Sequence, residues 1–149
     1  MKTYDEICES FYSTSLKKTV HGTDREVGFG CSVSREQGKY LYDLIIREKP
    51  QKSLETGLAW GGSAIHILCA LRDIGVSHKH EAIDPFEISM WEGVALKAIS
   101  EYNLDQIFLH VEDRSDIVLP KKFSSNEKYV FIFLDGDHSF DGSFIYAYY

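Results

Sequence analysis

From residue 52 onward the chain alternates short apolar runs with helix-like runs, and this alternation constrains the fold more than any other feature. Residues 53–56, 80–83, 107–111 and 129–134 read as strands. Residues 63–72, 90–102 and 115–119 read as helices, the last stopped by Pro120, and residues 141–149 begin another. Strands that alternate with helices pair in parallel, because each crossover helix carries the chain back to the same end of the sheet. The expected architecture is therefore α/β, a three-layer sandwich around a mainly parallel sheet covered on both faces. In such sheets ligands bind beyond the carboxyl ends of the strands. Here those ends carry Glu55 to Gly57, Asp84, Glu112-Asp113, and Asp135 to His138, four polar clusters on one rim.

Two segments precede this core. Residues 5–16 are weakly helical, with Ile7, Phe11 and Tyr12 on one side. Residues 21–33 carry three glycines and read as an irregular loop. A second helix begins at Ser34, where Gln37 three residues on completes a capping-box pattern, and Pro50 marks its end. The expected organisation is an N-terminal helix and loop extension over residues 1–33 and a ligand-binding domain over residues 34–149.

A chain of 149 residues can bury the core of one domain. The net charge of −7 disfavours nucleic acid, whose phosphates need clustered Lys and Arg. No apolar run is long enough to span a membrane, and residues 1–10 lack the pattern of a secretory signal, so a cytoplasmic location is expected. Cys8, Cys31 and Cys69 are odd in number and widely spaced, which favours reduced thiols, with Cys69 a buried small hydrophobe.

The turn from Leu54 to Ser63 reads LETGLAWGGS and joins the first strand to its helix. A tight glycine turn there lets a ligand approach the backbone closely. Dinucleotide sites use GxGxxG, in which the middle glycine admits a pyrophosphate. The matching positions are Gly57, Ala59 and Gly62, so a methyl group stands in the middle. Glu55 beside the turn opposes a pyrophosphate and suits a cation. S-adenosylmethionine has an ammonium, a sulfonium and no phosphate, and Glu55, Asp84 and Asp135 would give a pocket of the right sign.

With these residues in place, residues 34–148 resemble a class I S-adenosylmethionine-dependent methyltransferase, with its Rossmann-like fold. The branch is the one whose fourth strand ends in Asp-Gly-Asp-His. The matching pieces are Glu55-Thr56-Gly57 through Gly61-Gly62-Ser63, Ala82 to Phe86, and Phe131 to Phe140. The resemblance implies that Gly57 and Gly61 pass close to the methionine part of the cofactor, with Ala59 and Ser63 in the same turn. It implies that Glu55 supports the turn or the ammonium, and that Asp84 binds the ribose hydroxyls. Asp113 and Ser115 would lie near the adenine amine, or simply cap a helix. Asp135 would stand at the floor, near the transferring methyl group.

Methyl transfer needs an aligned nucleophile and removal of its proton. His138 is the candidate general base, with a structural hydrogen bond as the alternative, and Asp135 is the second catalytic candidate. Asp137 or Ser139 could cap the next helix. Similar motifs in related O-methyltransferases hold magnesium with further ligands from the end of the fifth strand; this chain has no such segment, and no assembled metal site is expected. His66, His78 and His80 lack ligand spacing and read as ordinary polar positions, and Tyr146, Tyr148 and Tyr149 as a helix face cut off from its packing partner. Trp60 lines the pocket or covers the helix start.

The family sheet has seven strands in the order 3-2-1-4-5-7-6, and this chain reaches only the fourth. The chain therefore reads either as a fragment, with the C-terminal strands missing, or as one copy of an oligomer that pairs through an open edge at residues 129–134. The expected activity is O-methylation of a small molecule or sugar. A non-catalytic cofactor-binding or interaction domain is the alternative, and an NAD-dependent oxidoreductase a distant one.

Overall fold

The computed structural model describes residues 2–148. Helix α1 (Tyr4–Tyr12) leads into an antiparallel hairpin of β1 (Leu16–Lys18) and β2 (Asp24–Glu26). Then follow α2 (Arg35–Glu48), β3 (Ser53–Thr56), α3 (Gly62–Asp73), β4 (His80–Ile83), α4 (Val94–Glu101), β5 (Phe108–Val111), α5 (Ser115–Ser124), β6 (Phe131–Leu134) and α6 (Phe140–Tyr148). Among the described residues the main sheet has four parallel strands in the order β5-β4-β3-β6. That order is 3-2-1-4 when the core strands are counted alone, as the family resemblance implies. The fold is α/β and Rossmann-like, with helices on both sides of the sheet.

The winding explains which helix covers which face. From β3 through β4 to β5 the chain moves in one direction, so right-handed crossovers put α3 and α4 on the same face. Their apolar residues Ala64, Ile65, Leu68, Ala95 and Ile99 meet Ala82 and Phe108 of the sheet there. The return from β5 to β6 reverses direction and puts α5 on the other face, where Val118 meets Leu54 and Ile83. The reversal opens a crevice between the carboxyl ends of β3 and β6, the place where doubly wound sheets take ligands.

Several elements differ from the sequence reading. α1 ends at Tyr12, because residues 13–15 turn the chain into β1, and its start is fixed by a Thr3–Glu6 capping box. The stretch read as an irregular loop contains β2, which pairs with β1. α4 begins at Val94 rather than at residue 90, since residues 86–93 form turns that close at Gly93. Pro120 does not stop α5, which runs through it to Ser124; the helix forgoes one amide donor and continues. Strand β6 starts at Phe131, two residues later than expected, and Tyr149 lies outside the described residues. The capping box at Ser34 is present, and α2 ends where Lys49 turns left-handed before Pro50.

The N-terminal segment is built into the same core. Tyr4, Ile7, Cys8 and Phe11 of α1 are buried against α3 and α4. His66 of α3 is fully buried, its Nδ1 2.8 Å from the Tyr4 hydroxyl and its Nε2 3.1 Å from that of Tyr12. The Tyr12 hydroxyl donates to the Val33 carbonyl, so it accepts from Nε2–H, and Nδ1 accepts from Tyr4. His66 is thus a fully satisfied core residue rather than an ordinary polar position. The hairpin braces residues 86–93: Arg25 pairs with Glu92 at 2.7 Å and donates to the Met90 carbonyl.

Candidate functional site

A cavity of about 770 Å³ lies at the carboxyl ends of the strands. Each of the four strands delivers a residue to it or to the loop that lines it. β3 gives Thr56 and Gly57, β4 gives Ile83 and Asp84, the turn after β5 gives Arg114, Ser115 and Asp116, and the turn after β6 gives Asp135, Gly136 and Asp137. The volume is in the range of small-molecule and cofactor sites.

The glycine turn forms the floor. Gly57 has φ +82°, and a Cβ there would come within 2.3 Å of the Asp135 carbonyl oxygen. Its missing side chain is what lets the turns after β3 and β6 touch. Gly61 has φ +82° as well, and a Cβ would press on Ala95 at 2.8 Å, so it admits α4 rather than the cavity. Ala59 lines the cavity with φ +44°, an uncommon conformation for a residue with a side chain.

Asp84 ties this floor to β4. Its Oδ2 accepts from the Leu58 and Ala59 amides at 2.8 and 3.1 Å, and its Oδ1 from the Phe86 amide at 2.8 Å. The carboxylate is buried yet lines the cavity, so it both holds the turn and supplies negative charge.

Of the residues singled out in the sequence, Gly57, Ala59, Asp84, Ser115 and Asp135 line the main cavity. Glu55, Gly61, Ser63 and Asp113 do not. Glu55 is fully buried behind the turn, where its Oε2 accepts from Ser63 at 2.6 Å and its Oε1 lies 3.2 Å from His80 Nε2. Asp113 turns away and accepts the Arg114 amide at 2.8 Å. His138 stands 3.4 Å from Asp135 but is 78% exposed, in a side cavity of about 230 Å³ beside the main one. Burial holds the Asp135 carboxyl above its usual range; the nearby Glu55 charge adds to this and His138 opposes it.

The acid residues expected around the rim are therefore only partly those that form it. Asp84, Asp135 and Asp137, all in the expected strand-end clusters, are joined by Asp116 and Asp141, against one cation among the lining residues, Arg114. That guanidinium is itself engaged with both oxygens of Asp116, at 2.9 and 2.7 Å. Asp116 could have been found by counting helical positions from Ser115; Asp141 depends on how the last helix packs. Trp91 and Phe86 form an aromatic wall, while Trp60 is buried with Val27 and Val94 and meets Trp91 edge-on at 4.7 Å. Trp60 thus lies outside the cavity lining and packs against the start of α4.

Tyr146 is turned inward rather than left on an unpartnered face. Its hydroxyl accepts the Asp137 amide at 2.7 Å and lies 3.3 Å from Ser115 Oγ. Ser139 caps α6 by accepting the Gly142 amide at 3.0 Å, and Asp137 accepts the Ser139 amide at 2.9 Å. Behind the aromatic wall, Glu87 is fully buried, with Oε1 accepting the Ala95 amide at 3.1 Å. Burial, aided by Asp84, pushes its pKa up to about 8. Among the described residues no three His, Cys, Asp or Glu side chains gather into a cluster that could hold a metal ion. Among them, too, no helix is long and apolar enough to cross a membrane.

Solved structures share this fold. An S-adenosylhomocysteine-bound methyltransferase of Podospora anserina, PaMTH1, superposes with a TM-score of 0.63 at 18% identity, over 89% of this chain and 49% of its own. An O-methyltransferase of Bacillus cereus in complex with S-adenosylhomocysteine gives 0.62 at 22% identity, over 90% and 54%. TomG, an O-methyltransferase of Streptomyces achromogenes in complex with S-adenosylmethionine, gives 0.60 at 24%, over 71% and 46%. The chain spans about half the length of these structures and has the fold of class I methyltransferases. No protein-family model and no curated protein matches it.

Proposed function

We propose that this chain binds S-adenosylmethionine and serves methyl transfer to a hydroxyl group of a small molecule or sugar. The observation that carries this reading is the sign of the cavity. Five carboxylates, those of Asp84, Asp116, Asp135, Asp137 and Asp141, face one already paired guanidinium at the topological switch point. A site of that sign attracts a cationic sulfonium and ammonium and repels a pyrophosphate, the more so as water is excluded. The likeness of the fold to methyltransferases solved with that cofactor or its product supports the same reading.

The bound cofactor would supply an electrophilic methyl group for in-line displacement. The chain's own residues align and neutralise. Gly57 and Ala59 form the floor, Asp84 fixes that floor and faces the ribose, and Ser115 with Asp116 holds the adenine side. Asp135, with its carboxyl held above the usual range, is placed to take or share the acceptor's proton, with His138 3.4 Å from that carboxylate as the second candidate.

A second reading, a cofactor-binding domain without turnover, is favoured by one observation. The Tyr146 hydroxyl bridges Ser115 and the Asp137 amide across the cavity, and His138 stands outside it. Binding separates neither reading; release of the demethylated cofactor in the presence of hydroxyl acceptors does. Replacing Asp84 tests the site itself. Asp84→Ala is expected to weaken S-adenosylhomocysteine binding by about 1–3 kcal/mol, as loss of a charged hydrogen-bond acceptor does. Unchanged affinity would remove Asp84 from the site.

A further inference from the structure

We propose that Glu55 and His80 are positioning residues for the glycine turn, and that Glu55 is not itself a ligand to the bound molecule. The inference rests on the cofactor reading above and names which residues set the geometry of that site.

A line of polar groups runs along the α3 face of the sheet. Ser63, in the first turn of α3, donates to Glu55 Oε2 at 2.6 Å. Glu55 Oε1 lies 3.2 Å from His80 Nε2, with both side chains at 0% exposure. The two atoms sit within ion-pair range without a well-directed hydrogen bond. His80 Nδ1 is 3.0 Å from Ser53 Oγ, which is 3.4 Å from His78 Nε2. The line thus connects the glycine turn, at the carboxyl end of β3, to residues at the opposite end of β3 and β4.

Burying a carboxylate costs several kcal/mol unless partners compensate, as a rough rule, so a fully buried Glu55 implies that those partners matter. Its two oxygens face Ser63 and His80, and the side chain is absent from the cavity lining. What Glu55 holds is the start of α3. Residues 57–61 span from β3 to that helix start, and within them Gly57 and Ala59 form the cavity floor. A tether between β3 and Ser63 therefore fixes the ends of the loop whose backbone meets the ligand. His80, on the neighbouring strand, orients the carboxylate, and Ser53 orients His80.

Titration calorimetry with S-adenosylhomocysteine and with adenosine, alongside melting temperatures, tests this. On the cofactor reading the glycine turn would meet the amino-acid part of the first ligand, which adenosine lacks. Ser63→Ala should weaken S-adenosylhomocysteine about tenfold, the worth of one charge-assisted hydrogen bond, and His80→Leu, which removes a contact in ion-pair range rather than a directed hydrogen bond, should weaken it less. Both should leave adenosine affinity unchanged, and Ser63→Thr should restore the first. Glu55→Gln, which can still accept from Ser63, should cost about twofold by the same reasoning. Loss of binding in Glu55→Gln with Ser63→Ala silent would make Glu55 a direct ligand and overturn the proposal. Equal losses for both ligands in Ser63→Ala, tracking a lower melting temperature, would reduce the network to fold support and also overturn it. If His80→Leu does not fold, the Ser63 and Glu55 variants decide alone. Wild-type protein that binds neither ligand would sink the cofactor reading, a result distinct from either.

Discussion

At the scale of single residues, Gly57 links the two turns that define the site. It carries a positive φ, and a methyl group there would overlap the Asp135–Gly136 backbone, which cannot swing aside as a long side chain can. Gly57→Ala is expected to cost on the order of 3 kcal/mol of stability from left-handed strain and overpacking together. Denaturant unfolding measures it, and a loss under about 1 kcal/mol, the low end of either effect, would mean that the two turns do not meet as described. The acid character of Glu55 and Asp84 was legible in the sequence, but their environments were not. The burial of Glu55 depends on His80, one strand away in space and 25 residues away in the chain, and the sequence around either residue does not show the pair. Asp84 is bound by amides of the glycine turn for the same reason: adjacency across strands is a property of the register.

At the scale of elements, α1 is held by a histidine that must stay neutral. His66 sits between Tyr4, Cys8 and Tyr12 of α1, with Cys69 on its own helix; burial, with the Arg35 charge of α2 adding to it, pushes its pKa down to about 4. The unfolded chain then binds a proton near pH 6.5 that the folded chain refuses, so stability rises with pH across this window. Its contribution is fully present above pH 6.5 and is lost as pH falls toward 4, by about 3 kcal/mol at 1.36 kcal/mol per pH unit. Unfolding midpoints between pH 4 and 7 should slope less in His66→Gln than in the parent; equal slopes would contradict this. A second element is incomplete by itself. Among the described residues β6 pairs only with β3, and while Phe131 and Phe133 pack toward α2 and α3, Ile132 and Leu134 stand 48% and 44% exposed. We propose that this edge pairs with a second copy of the chain. Sedimentation should then show self-association that Ile132→Lys reverses, and a wild-type monomer at all concentrations would contradict it. The core strands and helices were legible because their apolar periods are long or continuous. The hairpin of β1 and β2 was not, since two three-residue strands with mostly exposed side chains carry no apolar alternation. Pro120 misled because a lone proline weakens a helix without always ending it.

At the scale of the whole molecule, the reversal of winding between β5 and β6 creates the crevice, the glycine turn floors it, and a set of aspartates gives it its sign. The parallel sheet followed from the alternation of strands and helices, while its strand order followed only from the family resemblance. The cavity lining followed only in part, because Asp116, Asp141 and Tyr146 reach it through the last two helices, whose packing no local pattern reveals. The central claim is that this cavity takes a cationic adenosyl cofactor and not a pyrophosphate-bearing one. Titration calorimetry of the chain with S-adenosylmethionine, S-adenosylhomocysteine and NAD tests it directly. Binding of the first two and none of the third is the expected result, and binding of NAD alone would contradict the account.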